Sequence, residues 1–441
     1  MSSAARPGWR VAAGGSVSGA LTVPGDKSVS HRALMLGALA SGETHISGFL
    51  NGEDCLATAR ALGALGVRIE HAADTDVQVH GAGAQGLQAP AAALDMGNAG
   101  TAMRLMMGVL APQRFAATLI GDESLMRRPM ERVAVPLRMM GARIATRQGL
   151  PPVEIEGTPQ LRAIQYLLPV ASAQVKSAIL IAALAADGRT RVTEPAPSRD
   201  HTERMLAAFG VQVLHEGATI ALEGGQELRG TAIAVPGDFS SAAFFLVAGA
   251  LAADQPLLLR NVGVNPTRTG LLDLLQRMGA DIRVQPRALG AGAGVEPVAD
   301  IEVRRSALRG ISVPERLVPL AIDELPVFFI AAACAQGETV VRGAHELRVK
   351  ESDRLAAMAQ GLERLGVEHQ LLPDGLWIRG ADSLNGGAVD SCGDHRIAMA
   401  FAVAALRARA PIEIADVANV ATSFPGFTAA ARAAGLAIEA L

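Results

Sequence analysis

The sequence predicts an α/β protein of two domains, each built from three copies of one helix-and-strand unit. Three observations predict it. A helix-like stretch that ends in glycine and runs into strand-like residues occurs six times, closing at Gly66, Gly141, Gly210, Gly279, Gly366 and Gly435. Six strongly apolar helical runs interleave with these, beginning at Ala33, Thr101, Ser177, Ser241, Pro326 and Ile397. The tetrapeptide Val-Pro-Gly-Asp appears twice, at 23–26 and 235–238, each time just before an apolar run.

The glycines recur at intervals of roughly 70 residues, which suits one supersecondary unit per repeat. The longest interval, between Gly279 and Gly366, contains a Gly/Ala-rich stretch at 288–299 that reads as an inserted loop. A helix stopping at such a glycine needs a residue tolerant of positive φ. The apolar runs carry hydrophobic residues on nearly every face, so each is expected to be buried. After four of them a turn leads to an extended run: SGETHISG, DGRTRVTE, DQPLLLRN and QGETVVRG. Each unit therefore reads as a βαβαββ pattern with one buried and one amphipathic helix. Six units exceed a single core, so three plus three is expected. The Val-Pro-Gly-Asp sites mark the crossings. They give one domain of residues 23–235 and another of 1–22 plus 236–441. The N-terminal strand goes with the C-terminal half because the last repeat ends abruptly and needs a partner.

Composition agrees. Half of the 441 residues are hydrophobic but only 3% are aromatic, a mix suited to close packing of helices on sheets. The net charge of -3, without a basic tail, argues against a nucleic-acid surface. Cys55, Cys334 and Cys392 lie far apart without metal-ligand spacing, so a reducing, cytoplasmic location and no bound metal are expected. No apolar run reaches the ~18 residues of a membrane span. The start, MSSAARPGWRVAAGG, reads as a disordered bacterial N-terminus rather than an organelle-targeting peptide.

Function is read from what stands before the apolar runs. In order these residues are PGDKSVSHR (24–32), MGNAG (96–100), ASAQVK (171–176), PGDFSS (236–241), IDEL (322–325) and CGDHR (392–396). A helix N-terminus carries unpaired N–H groups and partial positive charge, and so suits an anion. Helices that start on one surface in each half would line a cleft between the halves. Ordinary capping accounts for Ser, Asp and Asn at such places. It does not account for Lys27, Arg32, Lys176 and Arg396, whose charges call for an anionic ligand. The fourth start, at Gly237-Asp238, reads as a domain crossing rather than a contact. More cations lie in GDESLMRRPM (121–130), PSRDHTERM (197–205) and ELRVKESDR (346–354). In the last, Asp353 reads as part of a solvated face and Glu351 as a general acid/base. One of Asp323 and Glu324 is expected to face the cleft as a base. The remaining histidines read as surface or cap residues.

These motifs, with SAQVKSAILIAAL, IDELPVFFIAAACAQGET, DHRIAMAFAVA and ATSFPGF, resemble the 5-enolpyruvylshikimate-3-phosphate synthase family (3-phosphoshikimate 1-carboxyvinyltransferases) along nearly the whole chain. The resemblance implies an inside-out α/β barrel fold in two domains that close on their substrates. It implies transfer of the enolpyruvyl group of phosphoenolpyruvate to the 5-hydroxyl of shikimate 3-phosphate in aromatic amino-acid biosynthesis, with no cofactor. It assigns Lys27, Ser28, Arg32, Ser172, Ala173, Gln174, Ser198, Arg199, Asp323 and Lys350 to shikimate 3-phosphate. It assigns Lys27, Asn98, Gly100, Arg128, Gln174, Glu351, Arg354, His395 and Arg396 to phosphoenolpyruvate. Asp323, Glu351 and Lys27 are the expected catalytic groups. Arginine suits both anionic ends of phosphoenolpyruvate because it can bind in two-pronged fashion.

Two features refine the resemblance. Many family members have Lys where this chain has Thr422, so one phosphoenolpyruvate contact is missing or comes from elsewhere. The SAQVK, RDHTE and NPTRTG motifs are similar to those of class II, whose glyphosate-tolerant members have Ala at the place of Gly100; a glyphosate-sensitive enzyme is therefore expected. The sister transferase that acts on UDP-N-acetylglucosamine fits less well, since 121–130 holds no cysteine and Lys27 is followed by Ser. A non-catalytic repeat scaffold would have eroded polar residues at the helix starts, and here they are filled. A nucleic-acid end-processing relative would want a basic surface. Two complete domains in one chain lead to the expectation of a monomer.

Overall fold

The computed structural model describes residues 6–287 and 296–441. The expected N-terminal disorder at 1–5 and most of the 288–299 insert lie outside the described residues. Two compact units divide the chain. The N-terminal unit comprises residues 25–236 and Glu296, and the C-terminal unit residues 6–24, 237–287 and 297–441.

One repeat shows the local logic. Strand Leu94–Asp95 leads into the buried helix Gly100–Leu110, and Ala116–Ile120 returns beside it in parallel. The amphipathic helix Glu131–Met139 follows, and then the antiparallel hairpin Arg143–Arg147 with Leu150–Glu156 closes the sheet. All six repeat glycines adopt positive φ, from +74° at Gly366 to +113° at Gly435, and each turns its chain from amphipathic helix toward strand.

The apolar runs are the buried helices Lys27–Leu39, Gly100–Leu110, Ala173–Ala183, Phe239–Ala252, Leu325–Ala333 and His395–Ala404. Every residue of Phe239–Ala252 is buried. Small residues let these helices approach closely. A Cβ at Gly108 would sit 2.3 Å from the Ala178 carbonyl oxygen, so the second and third helices touch backbone to backbone.

Four repeats depart from the common pattern. Val17–Thr22 leads toward the helix at Lys27 yet pairs in parallel with Ala253–Gly263. Ala232–Ala234 leads toward the helix at Phe239 yet pairs with Ser41–Ser47. The first and fourth repeats thus exchange their opening strands where the chain crosses between units. The sixth repeat lacks a strand of its own, and Gly8–Val11 fills the place between Ile412–Ala415 and Ile438–Ala440. Trp9 stacks on Phe427 at 5.3 Å and fixes that strand to the core. In the fifth repeat the opening strand is reduced to single parallel bridges, Arg309 with Gln336 and Ser312 with Val340.

Candidate active site

Within each unit the starts of the buried helices are bonded to one another. In the N-terminal unit Gln174 Nε2 donates to Thr101 Oγ1 at 2.8 Å, which joins the second and third helices. Arg32 in the first helix donates from Nη2 to Ser177 Oγ in the third at 2.9 Å. In the C-terminal unit the Ser240 hydroxyl donates to Glu324, and Arg396 Nη1 donates to the Asp323 carbonyl at 3.1 Å. The fourth helix start is therefore tied to the fifth, and Asp238 there accepts from Arg268 Nη2 at 2.7 Å.

Capping accounts for more of these starts than the sequence suggested. Asp26, Ser172, Asp238 and Asp394 are side-chain N-caps, accepting from Val29, Val175, Ser240 with Ser241, and Arg396 respectively. Three helices thus carry their own carboxylate at the positive end. The helices at Gly100 and Leu325 have no side-chain cap. Side-chain cations, more than bare helix ends, form the two clusters.

The N-terminal cluster contains Lys27, Arg32, Asn98, Gly100, Arg128 and Gln174. Arg128 Nη2 donates to Asn98 Oδ1 at 2.5 Å and to Ser124 Oγ at 3.1 Å. Asn98 is fixed in turn by Asp122 at 2.6 Å. Gln174 Oε1 accepts from Arg104 Nη1 at 2.7 Å. An added Cβ at Gly100 would lie 3.0 Å from Arg128 Nη1 and 3.3 Å from Arg104 Nη1, so glycine there leaves room for both guanidiniums. Lys27 Nζ pairs with Asp54 at 3.0 Å. Ser28 stands at the same helix start and lends its carbonyl to Arg32 Nη1 at 2.9 Å. Arg32 also gives Nε to Thr202 Oγ1 at 2.7 Å, and burial pulls its guanidinium down to about 10. His31, one residue earlier, is also buried. Burial, then Lys27 and Arg32, push its imidazole down to about 3, so it is neutral and bonds Thr58 through Nδ1.

Lys176 is a correction. It does not wait for a ligand: Glu194 and Glu203 each pair with it at 2.7 Å, all three buried. Glu194 also accepts from the Ser198 hydroxyl. Arg199 follows Ser198 and lies close enough to Arg32 to oppose its charge. The histidines need correction too, since His31 and His201 are both buried, and His201 Nδ1 meets Glu296 Oε1 at 2.7 Å.

The C-terminal cluster is centred on Arg354, which is 1% exposed. Its Nε donates to Asp394 at 2.8 Å, Nη1 to Asp323 at 3.2 Å and Nη2 to Glu351 at 2.6 Å. Burial opposes the charge, but Asp394, Glu351 and Asp323 together hold the guanidinium above its ordinary value. Asp323 is further flanked by Lys350 Nζ at 3.3 Å and Arg396 Nη2 at 4.0 Å. Glu351 precedes the helix Arg354–Arg364, which Asp353 caps. Asp353 also pairs with Arg348 at 2.7 Å, so it is not simply a solvated charge. His395 opens its helix and is buried. Thr422 turns inward to the Asn419 carbonyl at 2.7 Å.

Sequence reasoning missed Asp54, Arg104, Asp122, Glu194 and Asp394. Only Arg104 left a strong trace, as an arginine inside an apolar helix. Asp54 lies in the first turn of the helix Glu53–Ala64, Asp122 and Glu194 follow strands, and Asp394 caps its own helix; for the first three only folding creates the proximity.

A family model for EPSP synthase (3-phosphoshikimate 1-carboxyvinyltransferase) matches residues 11–430. The chain belongs to the EPSP synthase family. It is 58% identical to the 3-phosphoshikimate 1-carboxyvinyltransferase of Methylococcus capsulatus, over 97% of each chain. It is equally identical to that of Alkalilimnicola ehrlichii, over 98% of this chain and 96% of the relative. Among solved structures, an EPSP synthase from Acinetobacter baumannii superposes with a TM-score of 0.87 at 53% identity, covering 99% of this chain and 100% of that one. NikO, an enolpyruvyl transferase of Streptomyces tendae, shares the fold at 19% identity, with a TM-score of 0.77 and 99% of each chain covered. The sequence resemblance to EPSP synthases and the expected enolpyruvyl transferase fold are thereby both established. The same matches favour the EPSP synthase reading over the UDP-amino-sugar transferase and the scaffold.

Proposed function

We propose that the chain transfers the enolpyruvyl group of phosphoenolpyruvate to the 5-hydroxyl of shikimate 3-phosphate and releases inorganic phosphate. The observation that carries the residue-level reading is the Arg354 centre, where two carboxylates suited to proton transfer, Asp323 and Glu351, share one buried guanidinium. Asp323 takes the proton of the attacking hydroxyl as its oxygen bonds C2 of phosphoenolpyruvate. Glu351 exchanges a proton with C3, and Lys27 assists from the other cluster. The tetrahedral adduct then expels phosphate, and loss of a C3 proton restores the double bond. Asn98, Arg128, Gln174, His395 and Arg396, with Gly100 leaving space, would hold phosphoenolpyruvate. Ser28, Arg32, Ser172, Ala173, Ser198, Arg199 and Lys350 would hold shikimate 3-phosphate. Arg354 would meet phosphoenolpyruvate with the donor capacity its three carboxylates leave over.

A phosphate-release assay tests the assignment. Release is expected with phosphoenolpyruvate plus shikimate 3-phosphate and not with UDP-N-acetylglucosamine; the reverse result sinks it. We also place the chain in the cytoplasm as a monomer. No described helix is long and apolar enough to cross a membrane, and no disulfide joins the three cysteines. Elution from a sizing column near 45.5 kDa is the expected result.

A further inference from the structure

Ser198 lies four residues after Glu194, and its hydroxyl donates to Glu194 Oε1. The other oxygen of Glu194 accepts from Lys176 Nζ at 2.7 Å. Lys176 stands in the first turn of the helix that Ser172 caps, and it also pairs with Glu203 at 2.7 Å. The three side chains are between 1% and 7% exposed, so the arrangement is fixed inside the protein rather than floating on its surface. A serine hydroxyl has one proton. A phosphate dianion offers only acceptors. A phosphate held by Ser198 must therefore take the proton that Glu194 accepts, and the two anions compete for one donor.

We propose that Glu194 is an internal stand-in for the ligand phosphate, a carboxylate that claims the Ser198 proton and by competition sets how tightly shikimate 3-phosphate is held. The inference rests on the reading of Ser198 as a phosphate contact. On binding, the Ser198–Glu194 hydrogen bond gives way to a Ser198–phosphate bond, the proton staying on Oγ throughout. Glu194 keeps its second oxygen on Lys176. Two carboxylates share that one ammonium, so neutralising Glu194 leaves Lys176 and Glu203 as a one-to-one buried pair, and the fold is retained.

The test is the dissociation constant for shikimate 3-phosphate, measured by calorimetry on the full chain. In Glu194→Gln the side-chain amide can donate to Ser198 Oγ and so release the serine proton. Binding is expected to tighten about three- to tenfold, the scale of one ordinary net hydrogen bond. Glu194→Asp keeps the charge but withdraws the carboxylate by one methylene, and a smaller tightening is expected; it also serves if Glu194→Gln does not fold. In a Ser198→Ala background Glu194→Gln should bring no gain. Unchanged or weaker binding by Glu194→Gln overturns the proposal. A gain of equal size in the Ser198→Ala background also overturns it, because the effect would then be the field of the lost charge. Ser198→Ala alone is expected to weaken binding. If it does not, Ser198 is no phosphate contact, and the underlying reading fails separately from the competition.

Discussion

Arg32 and Arg354 are both fully buried, and their surroundings drive them in opposite directions. Arg32 is held by two hydroxyls and a carbonyl, and burial pulls its guanidinium down to about 10. Arg354 loses as much solvent but faces three carboxylates, which hold it above its ordinary value. In the N-terminal cluster Arg32 is hydrogen-bonded to no carboxylate and meets Glu203 and Asp26 only through space, so burial outweighs them. The C-terminal cluster is balanced within itself and presents carboxylates to which protons can move. Repeats of one design thus place their buried arginines in opposite electrostatic surroundings.

The difference can be broken from either side. Asp323→Asn should cost the most. The carboxylate proposed to take the hydroxyl proton is gone while shape is kept, so kcat should fall about 10²- to 10⁴-fold, with substrate affinities changed far less. Steady-state kinetics decides this, and an unchanged kcat removes Asp323 from the chemistry. Next, Arg354→Met strands carboxylates inside the C-terminal unit and should destabilise it by about 3–5 kcal/mol. Arg32→Met leaves hydroxyls rather than charges behind and should cost only about 1–3 kcal/mol. Urea unfolding of the two variants side by side tests the contrast, and equal losses would erase it.

Acid offers a probe of the N-terminal unit. His31 is neutral when folded, at about 3, against 6.5 when unfolded. Between those values the unfolded chain binds the extra proton, so stability from this residue is whole above 6.5 and is lost as pH falls toward 3. His31→Asn should flatten the pH dependence of the unfolding midpoint in that window. The smallest effect is expected from Gly100→Ala. Its methyl must push Arg128 by a few tenths of an ångström. KM for phosphoenolpyruvate should rise by about tenfold, one unit of roughly 1.4 kcal/mol, with glyphosate inhibition weakened and KM for shikimate 3-phosphate unchanged.

Much of the architecture was legible because it repeats. A glycine that must turn the chain and a helix apolar on every face are local signals, and six occurrences make them hard to miss. The place of the N-terminal strand could also be read, since the last repeat lacked a strand and Gly8–Val11 supplies it. The polar helix starts correctly marked where the clusters lie. They misled about Lys176, whose neighbours Glu194 and Glu203 are distant enough in sequence that only packing joins them to it. They did foreshadow capping by Asp238 and Asp394, but nothing in the run of residues said that His31 would be stripped of water.

The sequence alone thus determined the repeat, the buried helices and the kinds of side chain at their starts, because these follow from periodicity and from short-range backbone needs. Tertiary structure alone decided which charge meets which. Coulomb and hydrogen-bond energies depend on distances of a few ångströms between segments tens of residues apart, and burial multiplies their weight. That is why Arg32 and Arg354, alike in the sequence, end in opposite surroundings.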